Sequence, residues 1–289
     1  MLERKNIDDF LAVEFSGSHP EFVNEGWTSF AFLLNGNIIR IPRNTEYIKE
    51  YELDAAICRF VRPFVDVQIP EIKVVHRRIP YAVHREIKGR TWDKDYALSL
   101  SNRAQDILAA DCAKFLAQCH AIDCSSMQKE VSSLRFEADD GLDLEKCAEA
   151  FHGFLSRSKI EKLISKYADA SKKKQEEYVF CHRDFSGHNS VLDGNGRLCG
   201  VFDFGGAGFA VPEYDFIRLY NLDVPSFFNK ITLEYQSISG RKIIEETVLE
   251  QCLLSNVAAA YWLNEDVCLA PIREQEMNEW VIQAVQKHL

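Results

Sequence analysis

What the chain lacks narrows its reading first. It has no Cys-x-x-Cys pair, and its nine cysteines are an odd number among 289 residues. Such cysteines fit reduced thiols better than a disulfide framework. Cys119, His120 and Cys124 offer only three candidate metal ligands, on or just past a helix, and read better as packing residues. No run is apolar for long enough to span a bilayer, and residues 1–9 lack the apolar centre of a signal peptide. A cytoplasmic protein is expected. Positive charge is also short, with 34 Lys and Arg against 44 Asp and Glu, a net charge of -10. An acidic surface draws in neither nucleic acid nor an anionic membrane, so neither is expected as a partner, whereas a cationic one is suited. There is no repeat, low-complexity tract or flexible linker. An apolar content of 46% is enough to bury a large core, as one domain or two lobes.

The densest chemistry lies in residues 181–215. Residues 190–193 and 197–202 are β-rich runs separated by Gly194-Asn195-Gly196, the composition of a hairpin turn. Pairing them antiparallel brings Asn189 and Asp203 to one end, with Asp184 on the loop just before. Two carboxylates and an amide oxygen gathered there make a site for a hard cation with oxygen ligands. Mg²⁺ takes one or two protein ligands and fills its shell with water and substrate phosphates, which suits Asn189 and Asp203. Asp184 is left to accept the proton of an attacking hydroxyl and hold it in line with a terminal phosphate.

The string His182-Arg183-Asp184-Phe185-Ser186-Gly187-His188-Asn189, followed by Asp203-Phe204-Gly205, resembles the catalytic and metal loops of the aminoglycoside phosphotransferase family. These are small-molecule kinases of the protein-kinase-like fold. The resemblance implies that Asp184 is the catalytic base, that Asn189 and Asp203 bind magnesium, and that His182 and Asp215 brace the loop from behind. It implies ATP or GTP as phosphoryl donor. It also implies a bilobal α+β fold, with a small antiparallel sheet lobe over residues 1–88 and a larger, mainly helical lobe over residues 89–289.

Earlier segments are read in that light. Residues 24–29 form a polar loop with a single glycine before a strand at 30–34, an Asn35-Gly36 turn and a returning strand at 37–42. Such a loop, ending at Ser29, can close over nucleotide phosphates through backbone N–H groups. The resemblance would place a Lys on the returning strand to reach the α and β phosphates. Arg40 stands there instead, as it can in similar kinases acting on macrolides, and arginine pairs with phosphate through a different geometry. The helix expected at 46–64 should supply the acidic partner, which the family register assigns to Asp54, with Glu50 and Glu52 on the same segment. Strands at 71–76 and 81–86 run into Ile87-Lys88-Gly89. This is the inter-lobe hinge by resemblance, where backbone groups of Arg85, Glu86 and Ile87 would meet the purine without separating ATP from GTP.

Beyond the hinge, Ser101 is the expected N-cap of a long helix, residues 125–141 a polar connection, and residues 142–174 and 215 onward helical. The stretch from Asp203 to Pro212 is too short for the segment on which protein kinases lay a peptide, and Ser186 stands where those of the Ser/Thr type carry a Lys. Both departures favour a small acceptor in the helical lobe. Asp223, Glu265 and Asp266 are expected to attract its cationic groups and Trp262 to stack on it. The expected activity is phosphoryl transfer to a small-molecule hydroxyl by a monomer. An aminoglycoside is the first acceptor class, and a macrolide or a metabolite such as an amino alcohol or sugar comes next. A nucleotide-binding regulator without transferase activity is the rival from another class.

Overall fold

The protein is described from a computed structural model that covers residues 4–131, 142–172, 178–267 and 269–289. Its first part is a helix, α1 (Arg4–Glu14), and the strands β1 (Glu21–Glu25), β2 (Ser29–Leu34), β3 (Asn37–Pro42), β4 (Lys73–Val75) and β5 (Tyr81–Arg85). They form one antiparallel sheet in the order β1-β2-β3-β5-β4. Alternation along β2 and β3 puts Phe30, Phe32, Ile39 and Ile41 on one face, where Ile7 and Leu11 of α1 complete a small core. The intervening residues Ala31 and Arg40, paired across the two strands, fall on the other face. There the helix α2 (Ile48–Val61) sends Ile57, Cys58 and Val61 into the core of the second lobe.

That lobe is mainly helical, with α3 (Lys94–Ser99), α4 (Asn102–His120), α5 (Cys124–Glu130), α6 (Leu144–Ala150) and α7 (Arg157–Ser171). Short strands β6 (Val179–Cys181), β7 (Ser190–Leu192), β8 (Leu198–Val201) and β9 (Gly208–Ala210) follow. The helices α8 (Ile217–Asn221), α9 (Pro225–Ser239), α10 (Glu245–Glu265), α11 (Arg273–Glu276) and α12 (Ile282–Gln286) complete it. One core joins α2, α4, α9 and the β7–β8 hairpin; a second joins α6, α7, α10 and α12. Ser101 caps α4 by accepting from the Ala104 N–H at 3.3 Å. Part of the expected polar connection is helix instead: Asp123 accepts from the Ser126 N–H at 2.9 Å, and Met127 buries completely, so α5 forms on a polar sequence. The remainder, residues 132–141, lies outside the described residues. The eight described cysteines are free thiols, six of them buried, consistent with packing roles. Among the described residues no helix is long and apolar enough to cross a membrane.

Two connections meet the hairpin from opposite sides. Gln68 donates to Cys199 O at 2.9 Å and accepts from Val201 at 3.0 Å, while Arg90 exchanges both backbone bonds with Leu192 at 3.0 and 2.8 Å. Gly89 makes the second approach possible. Its φ is +148°, and a Cβ there would lie 2.2 Å from Leu192 O.

Candidate active site

The β7–β8 ladder pairs Ser190 with Val201, and the Phe202 N–H carries it one step further to Asn189 O at 3.0 Å. Asn189 and Asp203 therefore leave the hairpin side by side. The Asn189 amide donates to Asp184 twice, to its backbone carbonyl at 3.0 Å and to Oδ2 at 2.7 Å. Its amide oxygen is then the atom left for a cation, with hard-oxygen chemistry that fits magnesium. The loop between is tied down by Trp92, which donates its indole N–H to Ser190 Oγ at 2.8 Å and its backbone N–H to Gly187 O at 3.0 Å. A side chain at residue 187 would put Cβ 2.1 Å from Trp92 O, so only glycine fits.

Behind the loop, the buried Asp215 accepts from the His182 N–H at 2.9 Å and the Arg183 N–H at 2.6 Å. Two successive N–H groups reach one carboxylate because Arg183 is held at φ +66°, a costly conformation for a side chain of that size. His182 Nε2 pairs with Phe202 O at 3.0 Å, which makes Nδ1 the acceptor for the Asp184 N–H at 3.3 Å. His120 bridges Asp215, at 3.1 Å, to the Tyr235 hydroxyl, at 2.8 Å. His120, Cys181 and Asp215 lie close enough for a metal, but both Asp215 oxygens already accept N–H donors, so the trio is a brace.

On the small lobe, Arg40 donates from Nη1 to Asp54 Oδ2 at 2.8 Å and from Nη2 to Asp203 Oδ1 at 3.1 Å. Its guanidinium sits 4.9 Å from the centre of the Tyr51 ring. Asp54 also accepts from the Phe204 N–H at 3.1 Å and the Cys58 thiol at 3.3 Å. Glu52 faces His76 instead, at 3.3 Å. Burial works against the Arg40 charge, yet Asp203 and Asp54 outweigh it and raise its pKa. Burial likewise pushes the Tyr51 phenol up to about 12, so the ring beneath the cation stays neutral. Ser29 is buried at the start of β2, its carbonyl accepting from the Gly26 N–H at 2.8 Å.

At the hinge one of the expected backbone groups is already engaged. The Glu86 N–H is donated to Gly36 O at 3.0 Å, because the β3–β5 ladder runs one residue past Arg85. Glu86 thus turns no N–H toward a purine, and Arg85 and Ile87 remain. Ile87 lies against Gly200 of the hairpin.

The residues expected to meet an acceptor each have a partner within the protein. Asp223 pairs with Lys94 at 2.9 Å, Glu265 with Lys146, and Asp266 accepts from the Tyr47 hydroxyl, so each carboxylate is engaged by a different element. Trp262 is half exposed and meets Tyr261 edge-on. Two arginines without a signal of their own turn out to matter. Arg43 donates to Gly26 O at 2.9 Å, pairs with Glu25 and stacks on Phe30, fixing the loop before β2. Arg218 donates from Nε to Asp184 Oδ1 at 2.7 Å and stacks 4.8 Å from the centre of the Trp280 ring. Its place three residues after Asp215, at a helix start, is the one pattern that could have pointed to it.

The chain is similar to solved structures along its whole length. The GDP and kanamycin complex of APH(2")-IIia superposes with a TM-score of 0.76 at 18% identity, covering 98% of both chains. The gentamicin complex of APH(2")-IIa gives 0.71 at 21% identity, covering 99% of this chain and 97% of that one. Macrolide 2'-phosphotransferase type I gives 0.68 at 16%, covering 95% and 97%. At such identities the likeness carries the fold, a protein-kinase-like α+β architecture with a small sheet lobe and a larger helical lobe. The sequence itself carries more, since the phosphotransferase enzyme family matches residues 20–241, and by that span this chain belongs to it.

Proposed function

We propose that the protein transfers the γ-phosphoryl group of ATP or GTP to a hydroxyl of a small molecule, with aminoglycosides as the first acceptor class. The observation that carries this is the meeting of Asp184, Asn189 and Asp203 at one hairpin end, opposite an arginine held between two carboxylates. Arg40 and the loop before Ser29 would hold the phosphates, with Asp54 keeping Arg40 in place. Arg85 and Ile87 would offer backbone groups to the purine. Asn189 and Asp203 would hold magnesium, which when bound neutralises charge on the β and γ oxygens. Asp184 orients the acceptor hydroxyl. As its oxygen bonds to the γ phosphorus, the bond to the bridging oxygen breaks, the nucleoside diphosphate leaves and the proton passes to Asp184.

The relatives with kanamycin and gentamicin bound support an aminoglycoside, and the macrolide relative keeps the second acceptor class in view. The test is product mass: purified protein, Mg²⁺ and ATP or GTP are incubated with aminoglycosides, macrolides and hydroxylated metabolites, beside Asp184→Asn. A product heavier by one phosphoryl group and absent with the variant is expected. Nucleotide binding with no modified acceptor would favour a regulator.

A further inference from the structure

Resting on that reading, we infer that His84 selects the nucleobase: its imidazole presents a hydrogen-bond acceptor to position 6 of the purine, so the donor is ATP rather than GTP. The β3–β5 register sets Ala82 opposite Arg40 and His84 opposite Ile38. Residues paired in this way share a face of the sheet. His84 therefore lies on the face that carries Arg40, one residue before the hinge group Arg85. It is half-buried there, as is Ile38. Its Nδ1 lies 2.9 Å from Arg85 O. A carbonyl can only accept, so Nδ1 carries the proton and, in a neutral ring, Nε2 is left as an acceptor. Among the described residues Nε2 has no hydrogen-bond partner.

Burial holds the imidazole pKa below its ordinary value, and Arg40 works in the same direction, against the Arg85 carbonyl, Asp54 and Asp203. The ring is therefore neutral at neutral pH, and Nε2 keeps its lone pair. The 6-amino group of adenine has two N–H donors. Arg85 O can take one with the lone pair that the imidazole leaves unused, and Nε2 can take the other. Guanine carries an oxygen at that position. Its lone pairs would face two acceptors with no proton between them, which forfeits both bonds and leaves desolvated acceptors unpaired. The hinge backbone has both N–H and C=O groups and can meet either purine, whereas the side chain beside it discriminates.

The test is the binding of ADP, inosine diphosphate and GDP with Mg²⁺, measured by calorimetry, beside nitrogen-15 NMR spectra of the His84 ring. ADP carries an amino group at position 6 and the other two carry an oxygen. Wild type is expected to bind ADP about ten- to a hundredfold more tightly than either. His84→Leu should remove about tenfold of that ratio, and His84→Lys, which presents only donors, should push it toward inosine diphosphate. In the free protein Nδ1 should hold the proton, and the Nε2 resonance should move on adding ADP but not on adding inosine diphosphate. Should His84→Leu not fold, His84→Gln, whose amide can turn either end to the base, must flatten the ratio likewise. Equal binding of the three, a ratio that none of the variants moves, or a proton resident on Nε2 would overturn the inference and leave the phosphotransferase standing. No binding of any nucleotide would overturn the function and this inference with it.

Discussion

Two arginine–aspartate pairs face each other across the cleft, and they are not the same kind of interaction. Arg40 and Asp54 are 16% and 1% exposed; Arg218 and Asp184 are 33% and 41% exposed. Removing one partner of the buried pair strands a charge in the interior, so that pair is part of the fold, whatever it also does for a nucleotide under the proposed function. The open pair contributes little to stability, because water and salt already weaken it, and its partners remain available to a ligand. Burial, rather than chemical identity, separates a structural clamp from a working group.

Substitutions can break or sharpen this contrast. Asp184→Asn should lower kcat by roughly 10²- to 10⁴-fold with an unchanged melting temperature; a large loss of stability instead would place Asp184 among the structural residues. Asp54→Ala should destabilise the fold by about 3–5 kcal/mol in urea titrations, toward the lower end because Asp203 still faces Arg40. Arg40→Ala should weaken nucleotide use strongly, and an unchanged rate would remove Arg40 from the site. Gly89→Ala, which drives Cβ into a backbone carbonyl, should cost about 1–3 kcal/mol and reduce nucleotide affinity without touching either pair. The smallest effect belongs to Asp223→Ala: its exposed bond to Lys94 should leave the melting temperature where it was, and only a change in acceptor KM would tie it to the site.

What could be read in advance follows the range of each interaction. The β7–β8 hairpin is legible because a Gly194-Asn195-Gly196 turn pairs its strands, although the one-residue register shift between Val191 and Leu192 that sets Asn189 opposite Phe202 has no signal of its own. The loop before Ser29 and the strand carrying Arg40 are legible for the same local reason. The surroundings of Asp223, Trp262, Glu265 and Asp266 are not. Trp27 meets Trp280 and Tyr47 meets Asp266 across more than two hundred residues, and no local period encodes such contacts. The pairing of β6 with β9 escapes notice likewise, each being only three residues long. Arg43 and Arg218 resemble solvated surface charges until the ring beneath each is seen. The polar run that becomes α5 misleads in the opposite sense, because an aspartate cap outweighs composition.

The backbone bonds from Gln68 and Arg90 clasp the hairpin by both of its edges. Only one of the two, Gln68, comes from the small lobe, so the strand that ends at Asp203 is stitched to that lobe by backbone while the strand that ends at Asn189 is stitched to its own. The tip where Asn189 and Asp203 emerge is thus a seam, with one thread from each side of the molecule.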